Sequence, residues 1–190
     1  TCLVITDSDQ DGVDDVKDQF DQILLDMKIA HRDVDLALDG ADAIPSLTSF
    51  DRVILLMPSL DGLGTHLSDI MSWVSAGGSL MLAMPPDNSS YLQVIASKLG
   101  IESAGYDYVK AESIVPSEDF MLGGGERYEL SDPFDSSLSV SLRETAREWA
   151  KTGDAGAPLI WSNDCGSGRT VVCNIGIYDK VMRGFFAAAI

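Results

Sequence analysis

Phe50-Asp-Arg-Val-Ile-Leu-Leu-Met57-Pro58 reads as a strand buried on both faces. Its apolar residues run without alternation from Val53 to Met57, and Pro58, which has no N–H for a ladder, closes the run. The pattern repeats on either side. Leu3-Val-Ile5 predicts a first strand, and Val16, Phe20, Ile23, Leu24 and Met27 recur at helical spacing, so an amphipathic helix is expected over residues 13–30. A weaker second strand is expected over 34–38. Downstream, residues 66–76 predict a helix stopped by Gly77-Gly78, and Ser79-Leu-Met-Leu-Ala-Met84 predicts another buried strand closed by Pro85-Pro86. Asn88 or Ser89 can cap a helix that runs through Lys98 and ends at Gly100. Strands alternating with helices point to a doubly wound, flavodoxin-like α/β fold, with a mainly parallel central sheet and helices on both faces.

After Ile101 the texture changes to short alternating segments: Tyr106-Asp-Tyr-Val109, Leu138-Ser-Val-Ser-Leu142, Ala157-Pro-Leu-Ile-Trp161 and Thr170-Val-Val-Cys-Asn-Ile175. They predict an antiparallel C-terminal extension. The last two flank the turn-rich Asn163-Asp-Cys-Gly-Ser-Gly168, a hairpin signal, and a closing helix is expected from Tyr178 onward. No repeat, low-complexity tract or linker divides residues 1–190, so one domain is expected.

Charge narrows the partners. Thirteen basic against 30 acidic residues give a net charge of −17, which repels phosphate backbones and anionic membrane surfaces, so nucleic acid is excluded as a partner. No stretch approaches the roughly 18 apolar residues of a membrane span. The chain opens on Thr1 rather than Met, and Arg183-Gly-Phe-Phe-Ala-Ala-Ala-Ile190 stops inside a helical pattern. Both ends lead to the expectation of a piece cut from a longer protein. Cys2, Cys165 and Cys173 match neither a zinc site nor a disulfide framework.

The central strands, the helix ending in Trp73-Val-Ser-Ala-Gly-Gly78 and the strand after it resemble the centre of the class I glutamine amidotransferase-like superfamily. Ala157-Pro-Leu-Ile-Trp161, Gly166-Ser-Gly168-Arg169 and Thr170-Val-Val-Cys-Asn-Ile-Gly176 are similar to the closing hairpin of its non-catalytic branches, the trehalose-utilisation-type and β-galactosidase trimerisation-type domains. Catalytic members carry a Cys nucleophile on the turn after the strand equivalent to Ser79-Leu-Met-Leu-Ala-Met84, and a His much later. Here Met84-Pro-Pro-Asp87 occupies the turn, its prolines lack the N–H donors an oxyanion hole needs, and both histidines, His31 and His66, precede it. A Cys-His-Glu amidotransferase is thereby excluded. Such domains also occur in bacterial surface-polysaccharide proteins, so the resemblance implies an extracytoplasmic location, with other domains of the parent protein and a polysaccharide as partners.

The sharpest chemical signal is Asp7-Ser-Asp9-Gln-Asp11-Gly12-Val-Asp14-Asp15-Val-Lys-Asp18. Alternate carboxylates in a tight turn converge hard oxygens on one cation, so Asp7, Asp9 and Asp11, completed by Asp15 and Asp18, are candidate calcium ligands. Against this, the twelfth position is Asp18 rather than a bidentate Glu, and Val13 and Asp14 break the usual order after the Gly. The alternative is a loop whose acids cap the following helix and favour its positive end.

Ser59, Asp61, Asp87 and Asn88 are candidates for a ligand crevice, because loops beyond the carboxyl ends of the strands form the crevice of an open α/β sheet. Ser59, Asp61 and His66 crowd one loop and are poorly disposed as a triad. Residues 1–50 hold 12 Asp against Lys17, Lys28 and Arg32, an excess that favours a solvated face and weakly a cationic polymer. The function expected is a non-catalytic binding or scaffolding domain of a larger bacterial protein. The alternative is a metal-dependent hydrolase of carbohydrate or amide substrates that uses the Asp-rich loop.

Overall fold

The computed structural model describes residues 1–176 and 180–190. The chain runs β1 (Cys2–Thr6), α1 (Val13–Asp26), β2 (His31–Asp35), α2 (Leu36–Asp39), β3 (Arg52–Leu56), α3 (His66–Ser75), β4 (Ser79–Leu82) and α4 (Ser90–Ile95). Five strands follow, β5 (Ile101–Pro116), β6 (Tyr128–Leu142), β7 (Arg147–Thr152), β8 (Pro158–Cys165) and β9 (Gly168–Cys173), and then α5 (Lys180–Ala189). All nine strands join one sheet in the order β2-β1-β3-β4-β9-β8-β7-β5-β6. The pairs from β2 to β9 are parallel and those from β9 to β6 antiparallel, so the doubly wound α/β fold with an antiparallel extension is present.

The unbroken apolar runs of the central strands follow from helices on both faces. Val4, Ile54, Leu56 and Met81 pack with Phe20, Leu24, Phe185 and Phe186 of α1 and α5, where Phe20 meets Phe186 edge-to-face with centroids 6.1 Å apart. Ile5, Val53, Leu55 and Leu80 pack on the other face with Leu67, Ile70, Val74 and Leu92 of α3 and α4, and with Trp161 of β8. Among the described residues no helix is long and apolar enough to cross a membrane.

Several boundaries differ from expectation. The second strand lies at His31–Asp35 rather than 34–38, because Asp35 turns the chain: its carboxylate accepts the Ala37 N–H and starts α2. The first helix stops at Asp26, where Lys28 takes a left-handed conformation (φ 57°). The segments around Tyr106 and Leu138 are parts of the long strands β5 and β6, and β7 has no counterpart in the sequence pattern. β9 is no peripheral addition, since it lies parallel beside β4 at the centre of the sheet. The predicted start of the closing helix at Tyr178 lies outside the described residues, and α5 is described from Lys180.

Candidate functional site

Four loops leave the carboxyl ends of β1, β2, β3 and β4 and meet along one edge. Gln10 ties the first to the third: its Oε1 accepts from Ser59 N at 2.8 Å, and its Nε2 donates to Ser59 O at 3.0 Å and to Asp7 Oδ2 at 2.9 Å. The amide therefore satisfies Ser59 as a neighbouring strand would. Asp35 ties the second loop to the first by accepting from Ser8 N at 3.0 Å. Partial burial works against the charged form of Asp35, yet the hydrogen bonds from Ser8 and Ala37 outweigh it and hold this carboxyl below its usual value. Neither Gln10 nor Asp35 stands out in the sequence, since a lone Gln matches no motif and Asp35 lies inside the predicted second strand.

The four crevice candidates come to this edge with different engagements. Ser59 is held through its backbone by Gln10, and its hydroxyl accepts from Asp61 N at 3.4 Å. Asp87 N donates to Pro58 O at 2.9 Å, which docks the turn after β4 onto the β3 loop. Asn88 is engaged with other partners: its Nδ2 donates to Gly105 O at 3.1 Å on β5, and its Oδ1 accepts from Gln93. Partial burial and the nearby charge of Asp61 both raise the Asp87 carboxyl above its ordinary value of 3.8. His66 does not reach Ser59, because its Nε2 faces Asp42 at 3.6 Å. The edge thus collects carboxylates, amides and backbone groups, without an assembled nucleophile and base among the described residues.

The Asp61–Asp87 repulsion has a measurable sign. A carboxyl whose pKa is raised by folding destabilises the native state at neutral pH, and the penalty is relieved as pH falls through the raised pKa. Asp87→Asn is therefore expected to raise Tm modestly at pH 7, with the gain gone below the ordinary value of 3.8. Thermal melts between pH 3 and pH 7 check this; a gain that persists unchanged into acid would contradict it.

Of the candidate calcium ligands, Asp7 is half-buried against Gln10, while Asp9, Asp11, Asp15 and Asp18 are exposed. Helix α1 begins behind Gly12, at φ 76°, with no side-chain cap, so the loop's acids do not cap it, although Asp14 and Asp15 sit in its first turn. Among the described residues the grouping that could in principle chelate a divalent ion lies elsewhere, at Asp21, His31 and Asp33, with ligand atoms within 4.8 Å of one another. Lys17 already enters that grouping, its Nζ 2.6 Å from Asp21 Oδ1 and 3.4 Å from Asp33 Oδ1. Nothing there selects calcium. The cysteines are buried free thiols, and burial pushes Cys2 up to about 11 and Cys173 higher still, so neither of these two is primed as a nucleophile.

A family model described as "uncharacterised protein conserved in bacteria", DUF2194, matches residues 1–143. No curated protein matches the chain. Among solved structures, a cold-adapted β-galactosidase from Rahnella sp. R3 is 20% identical with a TM-score of 0.69, over 98% of this chain and 30% of its own. The chain therefore spans about a third of the length of that enzyme. A ThuA-like protein from Parabacteroides merdae is 13% identical, TM-score 0.62, over 99% of this chain and 86% of its own. Cytoplasmic protein STM1381 from Salmonella typhimurium LT2 is 14% identical, TM-score 0.71, over 98% and 96%. At these identities the likeness shows the fold, which agrees at a general level with the amidotransferase-like resemblance. The expectation of an extracytoplasmic location is corrected here: STM1381 and a second Salmonella protein of this fold, STM3548, are cytoplasmic proteins, so the fold does not carry that location.

Proposed function

We propose, for a chain that belongs to the bacterial family DUF2194, a non-catalytic role as a single amidotransferase-like binding or scaffolding domain within a larger protein. The observation that carries this reading is the turn after β4. It runs Ala83-Met84-Pro85-Pro86-Asp87, where a catalytic relative would place its nucleophile, and it is pinned to the β3 loop through Asp87 N and Pro58 O. The two prolines cannot donate to an oxyanion, and the histidine Nε2 atoms face carboxylates, His66 toward Asp42 and His31 toward Asp21 and Asp33. A fold shared with segments of glycosidases supports a parent protein that handles carbohydrate, with a polysaccharide and the neighbouring domains as partners.

The reading is tested by incubating the chain with glutamine and with nitrophenyl β-galactoside and β-mannoside, each with and without Ca²⁺, Mg²⁺ or Mn²⁺. No turnover above the uncatalysed rate is expected. Metal-dependent turnover that disappears in Asp7→Asn would replace this reading with the metal-dependent hydrolase. That second reading is favoured by the carboxylates Asp7, Asp61 and Asp87 on three of the four loops, and it makes calcium the cofactor to test.

Calorimetry on the chelator-treated chain, beside Asp9→Asn and Asp11→Asn, separates the two further. Exposed carboxylates that do not converge are expected to bind Ca²⁺ no tighter than millimolar, with little change in the variants. Micromolar binding lost in the variants would restore the acidic loop as a cation site.

A further inference from the structure

We propose that a second cavity, at the amino-terminal edge of the parallel strands and so opposite the crevice, binds a small carboxylate with an apolar body. The proposal is independent of the function proposed above. Arg52, Ser79 and Arg169 stand in one register row across β3, β4 and β9. Side chains in register on neighbouring strands share a face, and strands about 4.8 Å apart set the two arginine stems roughly 10 Å apart with the Ser79 hydroxyl between them. All three line a cavity of about 280 Å³ whose apolar wall includes Phe120, Trp149 and Val171.

The wall is built before any ligand arrives. Trp149 Nε1–H donates to Ser162 Oγ at 2.9 Å, and Phe120 stacks on the indole with centroids 5.7 Å apart. The Arg147 guanidinium lies 3.9 Å from the centre of the indole ring and pairs with Asp119. Arg169 shares Asp164 at 3.3 Å across largely exposed side chains. Arg52, by contrast, makes no side-chain hydrogen bond or ion pair to any described residue, and it is half-buried. A guanidinium that lines a cavity with one apolar wall, and has no hydrogen-bonded acceptor among the described residues, calls for a planar anion that it can grip with two N–H groups, which is a carboxylate.

Charge and size set the rest of the ligand. In a chain of net charge −17, Arg52, Arg147 and Arg169 gather here against Asp119 and Asp164, while Asp51, which also feels the Arg52 charge, is paired with the Thr1 ammonium at 2.6 Å. That balance suits one negative charge and disfavours a polyanion. A dry cavity of roughly 150 Å³ holds benzene, so about 280 Å³ accommodates one ring with its carboxylate.

The probe is benzoate, titrated into the chain and followed by ¹H–¹⁵N spectra of the Trp149 indole N–H and the arginine Nε–H groups. Benzyl alcohol serves as the uncharged control and inorganic phosphate as the anion without an apolar body. Saturable benzoate binding that moves the Trp149 and Arg52 signals is expected, with a loss of about tenfold in Arg52→Gln, a smaller loss in Arg169→Gln, and weakening as salt is added. Benzyl alcohol binding as tightly as benzoate would overturn the charge recognition. Phosphate producing the same shifts would overturn the role of the apolar wall. No saturable shift, or unchanged affinity in a folded Arg52→Gln, would overturn the site itself. Should Arg52→Gln disturb the strand, the exposed Arg169→Gln decides in its place.

Discussion

Gly168→Ala is expected to destabilise the chain by about 3 kcal/mol, the upper end of what overpacking a well-packed site costs. The β8–β9 hairpin turns at Gly166-Ser167, and Gly168 opens β9 where the sheet presses on the end of α3. A Cβ at residue 168 would lie 2.0 Å from Val74 O and 2.2 Å from Gly78 O. Both neighbours are backbone carbonyls, so no side chain can swing aside. Nor can the strand retreat freely, because Ser167 N donates at 2.9 Å to Ser75 O, a carbonyl that the end of α3 leaves open, and Arg169 N donates at 3.1 Å to Gly78 O just ahead of β4. Arg169 and Val171 also line the carboxylate cavity, so a displaced β9 would disturb that cavity as well. Urea unfolding followed by tryptophan fluorescence checks the loss. The exposed Ser167→Ala, expected to stay within about 0.5 kcal/mol of the parent, is the control. A Gly168→Ala loss under about 1 kcal/mol would mean that α3 and the hairpin can separate at little cost.

What could be read from the residues depended on burial. β3 and β4 were legible because both faces are covered and their sequences are apolar throughout, and α1 and α3 because each carries one apolar stripe. β5 and β6 were only partly legible. Over much of their length both faces meet solvent, Tyr106 being 90% exposed, so the period of two that marks a half-buried strand is missing. β7 hides for a related reason: Arg147-Glu-Trp-Ala-Lys-Thr152 buries only Ala150 and Thr152 and is made a strand by its neighbours β5 and β8. The hairpin containing β9 was visible, but its seat beside β4 is a pairing choice that no local pattern records.

The crevice shows the same division. Ser59, Asp61 and Asp87 could be placed at one edge from the strand order alone. The partners that decide what those groups do could not. Gln10 takes up the Ser59 backbone and one Asp7 oxygen, and Asp42 takes His66. Alternating Asp residues record a spacing, whereas cation binding needs convergence, and a single amide side chain is enough to draw Asp7 aside.

Asn174→Leu is expected to cost about 3–5 kcal/mol, although the exchange keeps the number and branching of the side-chain heavy atoms. Asn174 follows β9 and is fully buried. Its Oδ1 accepts from Leu138 N at 2.8 Å, and its Nδ2 donates to Leu138 O at 2.7 Å and to Pro158 O at 3.4 Å. One side-chain amide thus takes the place of a strand neighbour for Leu138 and fastens β6 to the end of β9 across the sheet. A leucine offers no replacement, and the Leu138 N–H and C=O would each carry the roughly 1–3 kcal/mol cost of a buried polar group left unpaired. Asn174→Asp separates this cause from simple loss of packing. At neutral pH the introduced carboxylate still accepts from Leu138 N but opposes Leu138 O, and burial in an apolar setting raises its pKa. By linkage, a carboxyl with a raised native pKa destabilises most above that pKa and recovers as it protonates. The Asn174→Asp deficit should therefore shrink as pH falls from 7 toward 4, because the protonated acid can again donate to Leu138 O, while the Asn174→Leu deficit stays constant. Parallel urea titrations at the two pH values measure both, and equal, pH-independent losses would assign the effect to packing rather than to the hydrogen bonds.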